Sequence, residues 1–76
     1  MITKNEFLRE LEKVFLLNPG TINESDTLDD FGVDSTGMLE LIVLLATKVG
    51  VKVDVDAILA IQTVGDIILM VDDKLS

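Results

Sequence analysis

The sequence predicts an all-α fold: a small four-helix bundle with a long loop between its first two helices and a short third helix. Three observations carry that reading. Apolar residues recur at helical spacing in separate stretches of the chain. Two of those stretches open on a Thr-x-x-acid sequence, the signature of a helix start. Composition agrees, because 49% of residues are hydrophobic while only 4% are aromatic, so Leu, Ile and Val must fill the interior. At 76 residues the chain is expected to be one domain spanning 1–76. Its core must be small, since a domain of this size buries only about 60% of its unfolded surface.

The first helix is expected over about residues 3–17. Thr3-Lys4-Asn5-Glu6 reads as a capping box, and Phe7, Leu8, Leu11, Val14 and Phe15 then share one face. Asn18-Pro19-Gly20 reads as its stop. Residues 18–34 form a long connection, and structureless loops beyond about 12–15 residues are uncommon. Spaced apolar residues, Ile22, Leu28 and Phe31, can pin this one to the core. Glu24, Asp26, Asp29, Asp30 and Asp34 make it acidic, with no basic residue among them. An ordered, acidic loop is expected.

The second helix opens at a seam, with Asp34 or Ser35 as N-cap, and ends near Val49 with Gly50 just past it. Met38, Leu41, Ile42, Leu45 and Val49 make its apolar stripe. Thr36, Glu40 and Thr47 lie opposite, with Val43 among them and Leu44 flanking them, so both apolar side chains are expected to face water. Val51, Val53 and Val55 alternate with polar residues but have no partner strand, which predicts an extended linker. Asp56 can cap a short third helix over Ala57–Ile61. Thr63-Val64-Gly65-Asp66 opens the fourth, whose apolar face is Val64, Ile67, Ile68, Val71 and Leu75.

Charge and missing residue types narrow the function. Fourteen acidic against six basic residues leave a net charge of −8, which argues against a nucleic-acid partner and favours basic protein surfaces. His, Cys, Tyr and Trp are absent, which removes the commonest general base, the thiol nucleophile and the usual zinc ligands. Asp54-Val55-Asp56 hints at a calcium loop, but Ile58 and Leu59 fall where an oxygen ligand and a glycine are needed. An enzyme in its own right is not expected. The Leu41–Ala46 apolar run is far short of the roughly 20 residues that span a bilayer. No secretory signal is visible, so a soluble, cytoplasmic monomer is expected.

Asp34-Ser35 alone is an ordinary helix start. Its setting adds something, since a helix N-terminus favours an anion and Gly37 leaves little bulk beside the serine. Phe31-Gly32-Val33-Asp34-Ser35 resembles the attachment motif of acyl carrier proteins and the related peptidyl carrier domains. Leu39-Glu40-Leu41-Ile42 is similar to that motif's continuation, and Thr63-Val64-Gly65-Asp66 to the opening of the family's last helix. The resemblance runs over nearly the whole chain. It implies that Ser35, with Asp34 beside it, carries a covalent 4′-phosphopantetheine donated from coenzyme A. The thiol of that arm would hold an acyl or aminoacyl group as a thioester, so the cofactor would supply the reactive group that the chain lacks.

The partners so implied are a phosphopantetheinyl transferase, a loading enzyme and downstream synthases or transferases of fatty acid, polyketide or nonribosomal peptide-type biosynthesis. Departures from the family pattern point to a specialised pathway. Thr36-Gly37 follows the serine, Ala46 and Thr47 stand where acidic residues are frequent, Lys48 adds a basic residue nearby, and Ala57-Ile58-Leu59-Ala60 is apolar. The expected docking surface is Thr36, Glu40, Val43, Leu44 and Thr47, with Ile58 from the third helix. The competing reading is a cofactor-free helical adaptor that binds a partner through its second and third helices.

Overall fold

The computed structural model describes residues 2–76. Its elements are α1 (Lys4–Val14), a 3₁₀ turn (Asp29–Phe31), α2 (Ser35–Leu44) running on into a π-helical turn (Leu45–Val49), α3 (Val55–Leu59) and α4 (Val64–Val71), followed by a second 3₁₀ turn (Asp72–Lys74). Among the described residues there is no strand beyond one isolated bridge, Thr27 to Thr63. The all-α architecture read from the sequence, with its long first loop and short third helix, is the one observed.

α1 starts as expected. The Thr3 hydroxyl accepts the Glu6 N–H at 3.1 Å, while the Glu6 carboxylate accepts the Thr3 N–H at 3.2 Å. Its end lies earlier than the Asn-Pro-Gly stop predicts. Leu16 takes a left-handed backbone at φ 60°, the Leu17 N–H reaches back to the Glu12 carbonyl at 2.8 Å, and the Leu16 N–H points to the Lys13 carbonyl at 3.4 Å. This closure caps the helix at Phe15, usually with a glycine where Leu16 stands.

Glu12 explains the turn that follows. Its side chain is buried, and Oε2 accepts the Thr21 N–H at 2.9 Å and the Ile22 N–H at 3.1 Å. Oε1 pairs with Arg9 Nε at 2.6 Å. A buried charge is tolerable only with such partners. The carboxylate therefore ties the loop to α1 and delivers Ile22 to the core. Burial pushes the Glu12 pKa up, but the Ile22 N–H, Arg9 and the Gly20 and Thr21 N–H groups outweigh it, and the net direction is down.

The rest of the loop is fastened to the start of α4. The Val64 N–H donates to the Asp26 carbonyl at 3.0 Å, the Gly65 N–H to the Glu24 carbonyl at 2.8 Å, and the Leu28 N–H to the Gln62 carbonyl at 2.9 Å. Leu28 is buried, and Phe31 stacks on Phe15 with ring centroids 5.4 Å apart. The loop is therefore ordered by its own apolar and backbone contacts, despite its charge. α4 opens on the expected capping box, in which Thr63 and Asp66 satisfy each other's N–H groups. Val64, Ile67, Ile68 and Val71 are buried, whereas Leu75 lies past the 3₁₀ turn and is half-covered.

The third helix begins two residues before its predicted start. Asp54, not Asp56, is its cap, with Oδ1 accepting the Ala57 N–H at 2.8 Å. That register turns Ile58 inward. Ile58 is 2% exposed, so the expectation that it faces a partner is corrected. Leu44 is corrected in the same way, at 6% exposed. The buried arc of α2 and its π-helical continuation is Leu41, Leu44 and Leu45, and Met38 and Ile42 are only half-buried. Leu44 is thus set in the core, while Met38 and Ile42 line a cavity between α2 and α3.

Candidate functional site

Ser35 is the first residue of α2, and Asp34 is the cap. Asp34 has an extended backbone, φ −103° and ψ −173°, and its Oδ1 accepts the Gly37 N–H at 2.9 Å. The Met38 N–H takes the Asp34 carbonyl at 3.0 Å. The N–H groups of Ser35 and Thr36 have no partner among the described residues, and both residues are exposed. An exposed hydroxyl beside unpaired N–H donors, at the positive end of a helix, suits a covalently held phosphodiester.

Gly37 keeps the first turn of α2 free of a tight side-chain contact. A Cβ there would stand 3.0 Å from Val33 Cγ1 and 3.7 Å from Asp34 Oδ1. The side chain of Val33 thus packs over the first turn of α2, and the glycine leaves room for it and for the cap together.

A cavity of about 410 Å³ opens beside Ser35 between α2 and α3. Its walls are mostly apolar, with Val33, Met38 and Ile42 on one side and Val55, Ile58 and Leu59 on the other. Its volume falls in the range of small-molecule sites, about 300–1,000 Å³. Leu39, Val43, Val55 and Leu59 are all exposed. Leu39, Val55 and Leu59 line the cavity mouth, and Val43 lies one turn further along α2.

The predicted surface residues divide accordingly. Thr36, Glu40, Val43 and Thr47 are exposed on α2 and its continuation, while Leu44 and Ile58 belong to the core. The Thr47 hydroxyl donates to the Val43 carbonyl at 2.7 Å, which occupies its proton within the helix. Sequence reasoning missed Leu39, Val55 and Leu59. The signal was available for Leu39, an apolar residue outside the assigned stripe. For Val55 and Leu59 it depended on knowing that Asp54 is the cap.

The chain matches the family model for the phosphopantetheine attachment site over residues 5–71. It is similar to an acyl carrier protein of Thermotoga maritima, 34% identical over 64 residues that cover 84% of this chain and 79% of the relative. It is also similar to an acyl carrier protein of Rhodococcus erythropolis, 34% identical over 71 residues that cover 87% of this chain and 78% of the relative. No solved structure gives a significant match.

Proposed function

The chain belongs to the phosphopantetheine-bearing acyl carrier family, and from that membership we propose that Ser35 is the residue to which its 4′-phosphopantetheine is attached. The observation that carries the assignment is the exposed Ser35 hydroxyl at the start of α2, beside two unpartnered N–H groups. In the attachment step Ser35 Oγ forms a bond to the phosphorus of the pantetheine phosphate in coenzyme A. The bond to the adenosine bisphosphate breaks, and the hydroxyl proton leaves to a base on the transferase. When bound, the group supplies a thiol that holds an acyl cargo as a thioester.

The chain's own residues position and present. Asp34 fixes the first turn of α2, so that Ser35 and Thr36 turn outward with their N–H groups free. The apolar walls of the α2–α3 cavity suit an acyl chain better than a polar one. Thr36, Glu40, Val43 and Thr47, joined by Leu39, Val55 and Leu59, form the docking face for loading and downstream enzymes. Glu40 and the loop acids steer basic partners, and the apolar groups make the close contact. With Ala46, Thr47 and Lys48 in its last turns, this face is less acidic than charge-led docking requires, which supports a place in a specialised pathway. The role is that of a carrier, not a catalyst, and tethering raises the effective concentration of cargo at each docked enzyme.

Intact mass after incubation with coenzyme A and a phosphopantetheinyl transferase tests this. One added arm is expected. A chain that stays unmodified under conditions that modify a control carrier protein would favour the cofactor-free adaptor.

A further inference from the structure

Leu16 is the only non-glycine residue with a positive φ among the described residues, and at 91% exposure it is also the most exposed of the large apolar side chains. Either feature alone would be unremarkable. Together they mean that a branched apolar residue occupies a backbone position suited to glycine and returns no packing to the fold. The hydrophobic closure at this helix end comes from the next residue, Leu17, which is half-buried.

Leu16 stands at the edge of a hollow of about 130 Å³. Phe15, Phe31 and Val33 make its apolar walls, and Asp34 and Gly37 close its far side. These last two bracket Ser35 and Thr36. At that size the hollow admits a side chain and is too small for a cofactor, whose sites run from about 300 Å³. Asp34 lies in the wall and no Lys or Arg does, while Asp29 and Asp30 are exposed on the 3₁₀ turn whose last residue, Phe31, is part of that wall.

We propose that Leu16 and this hollow, which shares Val33 and Asp34 with the α2–α3 cavity, form a docking contact for the phosphopantetheinyl transferase. The proposal rests on the reading that Ser35 is the acceptor. Enzymes that load or use the cargo work at the far end of the arm. The transferase alone must bring its reacting atoms to Ser35 Oγ, so it must seat against the surfaces that flank the serine. Asp34 in the wall and the exposed acids of the preceding turn select a partner with basic residues around an apolar side chain, and the hollow receives that side chain beside Leu16.

The test compares kcat/KM for arm transfer from coenzyme A, and melting temperature, across wild type, Leu16→Gly, Leu16→Asn and Leu16→Met. Gly and Asn suit the left-handed position, so both variants should melt a few degrees higher than wild type. Both should nevertheless take the arm at least about fivefold more slowly, as expected for losing one buried interface contact. Leu16→Met should keep the wild-type rate. Each variant, once driven to completion with excess transferase, should load cargo normally. Leu16→Gly and Leu16→Asn proteins that take the arm at the wild-type rate would overturn the proposal while leaving Ser35 as the acceptor. So would a deficit confined to cargo loading. A wild-type chain that takes no arm would remove both readings.

Discussion

The Asp34 carboxylate accepts the Gly37 N–H at 2.9 Å, spanning Ser35 and Thr36. This single bond identifies the cap and leaves the serine hydroxyl without a structural task. Asp34→Ala should therefore cost about 1 kcal/mol, the usual loss for an N-cap. Ser35→Ala should stay within about 0.5 kcal/mol of wild type, as surface changes away from caps do. Urea unfolding of the two variants checks the ranking, and a larger loss for Ser35→Ala would mean that the serine is the cap.

Glu12 is expected to hold the first loop to α1. Glu12→Gln puts an amide where Arg9 Nε and two backbone N–H groups all need an acceptor. The melting temperature should fall by on the order of 5 °C. The loss should appear first as faster amide exchange at Thr21 and Ile22. Unchanged exchange at those two amides would refute the assignment.

The same carboxylate gives a pH signature. Backbone N–H groups and Arg9 hold Glu12 below its ordinary value of 4.5 against the cost of burial. The Thr3 N–H and hydroxyl lower Glu6, and the Gln62 and Thr63 N–H groups lower Asp66. A folded-state pKa below the unfolded one means that the unfolded chain binds more protons in this range. The stabilisation is then full above the unfolded value and is lost as pH falls through the folded one. The stability gap between wild type and Glu12→Gln should be constant at neutral pH and shrink below about pH 4.5. A gap that widens on acidification would contradict the sign.

Salt should stabilise the fold. Five acids stand between Glu24 and Asp34, and of these Glu24 is paired, with Lys4 at 2.8 Å. Screening of the remainder lowers their repulsion. The melting temperature at neutral pH should rise between low and moderate salt, and a flat response would show that the loop contacts already absorb the repulsion.

Docking through the apolar face predicts that Val43→Ala and Leu59→Ala slow loading by the cognate enzyme more than Glu40→Gln does. Leu44→Ala behaves differently because Leu44 is core, and it should cost about 2–5 kcal/mol of stability. The comparison is kcat/KM for loading of each armed variant, with folding checked by circular dichroism. Greater damage from Glu40→Gln would make docking charge-led.

What the sequence disclosed and what it hid follow from one physical distinction. Thr3, Thr63, Asp34 and Gly50 act locally, through hydrogen bonds or backbone conformation within a few residues, so they could be read from spacing. Leu44 could not, because Leu41 to Leu45 is apolar throughout and periodicity cannot set the phase of such a run. The phase comes from what packs against it, here chiefly α1, whose side of α2 carries the buried residues. Asp54 and Asp56 were equivalent caps by residue type, and the inward turn of Ile58 favours the first. Glu12 gave no local signal of burial, since its partners, Thr21 and Ile22, lie beyond the helix end in sequence.

The central claim is tested most directly by locating the arm. The chain has three serines, Ser25, Ser35 and Ser76, all exposed. After reaction with coenzyme A and a phosphopantetheinyl transferase, peptide mapping by tandem mass spectrometry should place a single phosphopantetheine on Ser35, and the Ser35→Ala chain should gain none. An arm found on Ser25, Ser76 or a threonine, or a Ser35→Ala chain that still acquires one, would contradict the account.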